Sequence, residues 1–112
     1  MLIAKVHKIH DRISTPDRLN SKDAHDVYRL LRAIDTEILA TVLGRLLHHP
    51  FSSEVTGEAL AHLREDFAHG PSANGSVMAG SAERLVGDPV AVAESVTLLA
   101  RDLLDALHLS PG

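Results

Sequence analysis

The amino-acid sequence predicts an all-α protein, a compact bundle of five or six helices without a β-sheet. Apolar residues recur every three or four positions along most of the chain, which is the spacing of one helix face. No stretch sustains the two-residue alternation of a half-buried strand. Short segments containing proline or glycine separate the periodic stretches, which favours up-and-down packing of neighbouring helices.

The first two predicted helices occupy the N-terminal third. Apolar positions place the first from Leu2 to Ile13, and Pro16 ends it because proline lacks the N–H that a helix interior needs. The second begins near Ser21, a favourable N-cap residue, with Asp23 in its first turn, where the helix dipole favours negative charge. Its inward face is predicted to comprise Ala24, Val27, Tyr28, Leu31 and Ile34.

A third helix is predicted to end at about His48, before Pro50. Asp35 and Thr36 are suitable caps for its N-terminus. Because neither proline nor glycine forces a break there, one bent helix from Lys22 to His48 is the alternative. The apolar positions of the third helix are Ile38, Leu39, Val42, Leu43, Leu46 and Leu47.

The fourth helix opens at one of three N-cap residues, Ser52, Ser53 or Thr56. Residues 69–75 are the clearest loop in the chain, because they combine glycine, proline, serine and asparagine. The inward face of the fourth helix is predicted to comprise Val55, Ala59, Leu60, Leu63 and Phe67.

A short fifth helix covers about residues 76–85, and Gly87 ends it. Asp88 and Pro89 then match the N-cap and first position of a final helix that reaches about Leu107. Its apolar face is wide, so this helix is either central to the core or buried on one side against another chain. The wide face comprises Val92, Val96, Leu99, Ala100, Leu103, Leu104 and Leu107.

Length and composition restrict the class of protein. The 112 residues, of which 45% are hydrophobic, suffice for one domain with a buried core. We expect residues 1–109 to form that domain and residues 110–112 to be a flexible tail. The absence of cysteine excludes disulfides, thiolate catalysis and thiolate metal sites.

Charge and hydropathy favour a cytoplasmic protein without a membrane segment. No apolar run approaches the ~20 residues that span a bilayer, and the start lacks the features of a signal peptide. The net charge is −4 and only three residues are aromatic, so there is no strong signal for nucleic-acid binding.

Charged residues in the first two helices form the main candidate site. Lysine or arginine recurs at spacings of three and four on the first helix, and acidic residues recur on the second. In an antiparallel hairpin these residues would share one edge. That edge is either an inter-helical salt-bridge cluster or a phosphate-facing surface in which the cations bind phosphate oxygens. The cations are Lys5, Lys8, Arg12 and Lys22, and the carboxylates are Asp23 and Asp26.

The same segments resemble a known family. Residues 5–12, KVHKIHDR, are similar to a Lys-Leu-x-Ala-x-x-x-Arg pattern, with Val6 and Lys8 at the Leu and Ala positions. Residues 22–28, KDAHDVY, match an Arg/Lys-Asp-x-x-Asp pattern. Both patterns occur in the C-terminal helical half of abortive-infection nucleotidyltransferase toxins, which belong to the polymerase-β-like superfamily. The resemblance covers about the first third of the chain.

The resemblance implies that the chain corresponds to the C-terminal part of such an enzyme and is inactive alone. The family's nucleotide-binding lysine would be Lys5, and its catalytic aspartate would be Asp23 or Asp26. The N-terminal half, with its Gly-Ser motif and magnesium-binding aspartates, has no counterpart in these residues. Magnesium and a nucleoside triphosphate would therefore be cofactors only if a partner supplied that half.

Two alternatives remain open beside this hypothesis. Arg64 and His69 have the Arg-x4-His spacing that resembles the motif of small helical HEPN-type ribonucleases, in which histidine performs acid–base chemistry on RNA. A charged surface residue and a cation near a helix C-terminus explain the same pair without catalysis. The other alternative is a homodimerising interaction module.

Histidines offer two further patterns. His10-Asp11 and His25-Asp26 are dyads of the kind found in helical metal-dependent phosphohydrolases. His7 and His10, three residues apart and beside Asp11, have a spacing that also suits a surface zinc site. Surface histidines without a ligand are the simpler interpretation, and we predict no metal site in this chain.

Overall fold

The computed structural model describes residues 2–11, 18–81 and 88–107, excepting the side chains of residues 18–21. In this part of the chain there are six α-helices and no strand, which confirms the all-α prediction. The predicted tail lies outside the described residues. The helices are α1 (Leu2–Asp11), α2 (Arg18–Ala33), α3 (Thr36–His48), α4 (Ser53–Leu63), α5 (Asn74–Ser81) and α6 (Pro89–Ala106), and a π-helical segment (Arg64–Ala68) continues α4.

The predicted break between the second and third helices is confirmed. The α2 helix ends at Ala33, and the Asp35 carboxylate accepts hydrogen bonds from the backbone N–H groups of Glu37 and Ile38. These bonds satisfy two of the N–H groups that a helix start leaves without a partner. Asp88 caps α6 in the same way, with Pro89 at the first helical position, as the sequence predicts.

Two predictions about helix starts and faces are wrong. Ser21 does not begin α2, because the helix starts at Arg18 and Ser21 lies inside it. Asp23 therefore falls beyond the first turn and does not act on the helix dipole there. Val55 does not point inward, since 45% of it is exposed while Thr56 is fully buried.

The α6 helix lies at the centre of the core, as one of the two sequence interpretations predicts. It packs against α2, α3, α5 and the π-helical segment. Burial of such a stripe is the main driving force for assembling the bundle. The buried residues of α6 are Val92, Ala93, Val96, Thr97, Ala100, Leu103 and Leu104.

The short α5 helix lies against its neighbours at very close range. A methyl group on Gly75 would be 2.7 Å from the Asp66 carbonyl oxygen and from the Phe67 ring, and one on Gly80 would overlap the Pro89 backbone. Between these glycines the Ser76 hydroxyl donates to the Phe67 carbonyl and lies 3.0 Å from the Thr97 hydroxyl. These contacts join α5, α6 and the π-helical segment.

The described residues have a radius of gyration of 13.0 Å, close to the ~13 Å expected for one compact domain of about this length. Among the described helices, none is both long and apolar enough to cross a membrane.

Candidate functional site

The lysines and aspartates of the predicted site lie together between α1 and α2. Lys5 Nζ is 3.2 Å from Asp23 Oδ1 and 3.1 Å from Asp26 Oδ2, and Lys8 Nζ is 3.0 Å from Asp23 Oδ2. Because only the earlier lysine reaches the later aspartate, the two helices run antiparallel, as expected. We call Lys5, Lys8, Asp23 and Asp26 the charged seam.

Water reaches the charged seam unevenly. Asp23 is the least accessible member, with 11% of its side chain exposed, whereas 45% of the Lys8 side chain is exposed. Lys5 lies between two carboxylates with 25% of its side chain exposed. The seam is therefore an edge with a buried acid at its base and a reachable lysine at its rim.

Electrostatics within the charged seam favour the ionised forms. The pKa of Asp23 is raised by burial, but hydrogen bonds and charges from Lys8 and Lys5 outweigh that effect and hold the pKa below 3.8. Hydrogen bonds to Asp26 and Asp23 raise the pKa of Lys5 above 10.5. A phosphate that approached Lys5 or Lys8 would have to compete with carboxylates already bound there.

The other two predicted cations, Lys22 and Arg12, are not part of the charged seam as described. Lys22 is exposed on α2, next to Asp23. Arg12 lies outside the described residues, so its predicted place beside Asp23 and Asp26 stays a prediction. The phosphate-binding and catalytic roles of the charged seam likewise remain predictions, while the ion pairs of the alternative interpretation are present.

The predicted ribonuclease pair lies at the two ends of the π-helical segment. Arg64 is partly buried at its start, and His69 is exposed immediately after its end. The His69 backbone carbonyl accepts a 3.1 Å hydrogen bond from Arg101 on α6, and the adjacent Ala68 carbonyl accepts another. These bonds fix the chain at this turn, and an RNA-cleaving role for Arg64 and His69 stays a prediction.

In each predicted His-Asp dyad, the structure gives the histidine and the aspartate separate partners or surroundings. Asp26 binds Lys5, and its neighbour His25 contacts the Tyr28 ring edge-on. His10 Nδ1 donates to Asp66 Oδ2 at 2.9 Å, rather than pairing with Asp11, which is exposed. His10 thus has a partner 56 residues away in the sequence.

On the opposite flank of α1 from the charged seam lies a group of which the pair suggested by sequence spacing, His7 and His10, is only a part. The His10 and His62 rings stack with centroids 3.6 Å apart, and the His7 ring meets His62 edge-on at 5.3 Å. Glu65 and Asp66 follow His62 by three and four residues, which places them near it on the helix. We call His7, His10, His62, Glu65 and Asp66 the histidine cluster.

Burial and mutual repulsion tune the histidine cluster. Burial lowers the pKa of His62, and the nearby His10 and His7 lower it further. Burial raises the pKa of Asp66, whose side chain is only 4% exposed, against the opposing effect of the hydrogen bond to His10. The His7 Nε2–H group donates to the Val55 carbonyl at 3.0 Å and fixes that ring against α4.

A signal for three of the five members of the histidine cluster was present in the sequence. His62, Glu65 and Asp66 share the i, i+3, i+4 spacing that brings side chains onto one helix face. The π-helical segment begins between them, and segments of this kind are often associated with functional sites. The approach of His10 depends on how α1 packs, which spacing alone does not specify.

An apolar surface on α3 is the third candidate site. Leu43 is buried, and four further apolar residues are partly buried against the core: Leu39, Ala40, Leu46 and Leu47. Ile38 is 60% exposed and Val42 48%, one turn apart on the same side. They line a shallow open groove with Asp35, Glu37, Thr41 and Arg45. We call Asp35, Ile38, Val42 and Arg45 the α3 outer face.

Comparison with known proteins adds no assignment to this geometry. No family model matches this chain. The searches of curated proteins and of solved structures also give no match. The resemblance to nucleotidyltransferase toxins therefore stays a prediction.

Proposed function

We propose that this chain is an interaction module that forms a homodimer by pairing its α3 helix with the α3 helix of a second copy. The observation that carries the proposal is the exposure of Ile38 and Val42, one turn apart on the outer side of α3. Adjacent exposed apolar residues with a charged rim are typical of association surfaces.

The distribution of charge on α3 supports a second copy as the partner. Asp35 lies at the N-terminal end of the outer face and Arg45 at its C-terminal end. Along the helix, the midpoint between Ile38 and Val42 coincides with the midpoint between Asp35 and Arg45. A two-fold axis at that midpoint would place Ile38 against the partner's Val42 and Asp35 against the partner's Arg45. One patch is then complementary to itself, as a two-fold interface requires.

Two further features favour this antiparallel pairing. The macrodipoles of the two α3 helices would oppose each other, so the positive end of one lies beside the negative end of the other. Asp35 uses one carboxylate oxygen, Oδ1, for the helix cap. Its Oδ2 atom is therefore available to accept from a guanidinium group.

The dimer is expected to be weak. One helix face buries less than the ~800 Å² per partner of a standard interface, so a dissociation constant of roughly micromolar is expected. Sedimentation equilibrium over a range of concentrations measures it. Ile38→Asp is expected to shift the protein to monomer, because a carboxylate would then face an apolar side chain in the interface.

Leu98→Asp is the matched control, because Leu98 is 57% exposed on α6 and lies outside the α3 outer face. It is expected to leave the dimer unchanged. A wild-type protein that stays monomeric at high concentration, or equal dissociation constants for the two variants, would contradict the proposal.

The absence of cysteine permits a test of the register. Ile38→Cys and Val42→Cys chains are mixed and oxidised. Because position 38 faces position 42 of the other copy, the mixed disulfide is expected to form in excess over either homodimeric disulfide. A statistical mixture of the three products would exclude this register.

A second proposal retains the phosphate-facing role of the charged seam in a cytoplasmic, composite nucleotidyltransferase. The convergence of Lys5, Lys8, Asp23 and Asp26 on one partly open edge supports it. Such an enzyme would need a partner that supplies the metal-binding half with magnesium and a nucleoside triphosphate. Titration of the chain with ATP tests the binding step, and equal affinity of wild type and Lys8→Ala would contradict it.

A further inference from the structure

We propose that His10, His62 and Glu65 bind a divalent transition-metal ion that links α1 to the end of α4. One ligand atom from each of the three side chains lies within 4.8 Å of the other two. The three residues come from two separate parts of the chain, so a shared ion would be a long-range cross-link. The site lies on a different flank from both the charged seam and the α3 outer face, and it goes beyond the proposed association.

The chemistry of the three side chains selects the class of metal. Two imidazoles and one carboxylate suit zinc and related first-row ions, whereas magnesium and calcium prefer oxygen ligands alone. Three protein ligands leave a fourth position for water in a tetrahedral site. The absence of cysteine leaves no thiolate to compete for the ion.

Asp66 orients the His10 ring for metal binding. The hydrogen bond from His10 Nδ1 to the Asp66 carboxylate fixes the tautomer, so Nε2 carries the lone pair available to the metal. Carboxylate–histidine–metal arrangements of this kind orient the ring and make it a better donor. Because the Asp66 side chain is 4% exposed, this partner is held within the core rather than by solvent. Asp66 is thus a positioning residue.

Modest side-chain movement completes the site. Ligand atoms about 2.0–2.1 Å from a tetrahedral zinc lie about 3.4 Å apart, closer than the 4.8 Å limit that contains these three. The His10 and His62 planes are within 14° of parallel, so one ring must tilt for the two lone pairs to converge. Glu65 is exposed and reaches the remaining position through its flexible side chain.

Isothermal titration calorimetry of the full chain with zinc chloride tests the proposal, after dialysis against a chelator. One saturable site per chain is expected, with no comparable heat from magnesium chloride. Saturation with zinc should also raise the thermal unfolding midpoint, because an ion that binds only the folded chain stabilises it. Lack of saturable zinc binding would overturn the proposal.

Substitutions locate the site among the eight histidines of the chain. Glu65→Gln and His62→Gln are each expected to weaken zinc binding about tenfold or more, since even residues behind the ligands contribute that much. Glu58→Gln and His49→Gln are the matched controls, because both residues are exposed and lie outside the cluster. Equal zinc affinity in a cluster variant and its control would overturn the assignment.

A variant of the same size and shape tests the positioning role of Asp66. Asp66→Asn keeps the size of the side chain but weakens its hold on the Nδ1–H tautomer of His10. About a tenfold loss of zinc affinity is expected, with the circular dichroism of the zinc-free protein unchanged. Unchanged affinity in a folded Asp66→Asn protein would contradict that role, while the Glu65→Gln result decides the site independently.

Discussion

The two flanks of α1 are held by different kinds of polar contact. Toward α2, Lys5 and Lys8 bind two aspartates at an edge that water reaches. Toward α4, His10 binds Asp66, whose side chain is almost completely enclosed. The two basic side chains are similarly exposed, 25% for Lys5 and 31% for His10, so the difference lies in the acid, because Asp66 is 4% exposed and Asp23 11%. The contact between His10 and Asp66 is therefore expected to contribute more to stability than any one ion pair of the charged seam.

Asp23 and Asp66, one on each flank, differ in the direction of their pKa shifts. The pKa of Asp23 is raised by burial, but its lysines outweigh burial and the net direction is downward. Burial also raises the pKa of Asp66, and there the single histidine partner does not overcome it. Asp66 therefore differs from Asp23 because burial outweighs the effect of its hydrogen-bonding partner, and acids of this kind are more often found at functional sites.

The largest effect is expected from His10→Ala, which removes the partner of a buried carboxylate. We expect the free energy of unfolding to fall by about 2 kcal/mol, the usual cost of losing a hydrogen bond to a charged group inside a protein. Urea denaturation measures it. His7→Ala is the control. Within the described residues, the His7 side chain hydrogen-bonds to a backbone carbonyl and not to a carboxylate. Equal losses would show that the contact with the enclosed Asp66 carboxylate gives His10 no special importance.

A smaller effect is expected from Lys5→Ala on the other flank. Its removal leaves Asp23 with Lys8 but places two carboxylates near each other without the lysine between them. A loss of about 1 kcal/mol in the free energy of unfolding is expected, because the group is partly exposed. Lys22→Ala, an exposed neighbour, should change it by less than about 0.5 kcal/mol. A loss larger than that of His10→Ala would reverse the comparison.

The smallest effect is the pH dependence that the charged seam contributes to stability. Because the folded pKa of Asp23 lies below 3.8, its stabilising contribution is present above that value and disappears as pH falls through the folded pKa. The folded pKa of Lys5 lies above 10.5, so its contribution is present below that value and is lost as pH rises beyond it.

Thermal unfolding of wild type and Asp23→Asn, compared between neutral pH and pH values below 3.8, measures the acidic limb. The two proteins should differ at neutral pH and converge in acid. A difference in midpoint that stays constant with pH would show that Asp23 does not contribute through its charge.

Sequence patterns predicted the local features of this fold well. Asp35 and Asp88 are caps, and Leu63, Phe67 and Leu104 are buried, because caps and apolar spacing depend on residues within one or two turns. The start of α2 was misplaced because Ser21 is also acceptable inside a helix when tertiary packing favours a longer one.

The same difference between local and long-range contacts determines which candidate sites could be predicted. The charged seam was predictable because Lys5, Lys8, Asp23 and Asp26 belong to adjacent helices joined by a short connection. The contact between His10 and Asp66 was not, since it depends on α1 packing against α4 across 56 residues of sequence. The exposure of Ile38 and Val42 was missed for a related reason: spacing identifies an apolar position but not whether the fold provides a neighbour to cover it.

The close fit around α5 has a consequence for how this protein tolerates change. Any side chain at Gly75 or Gly80 would meet backbone atoms, which cannot rotate away as side chains do. By contrast, Phe51 is 92% exposed, so its side chain is not part of the packed core. In a library of random variants, these two glycine codons should be nearly invariant among folded clones, while the Phe51 codon should diversify freely.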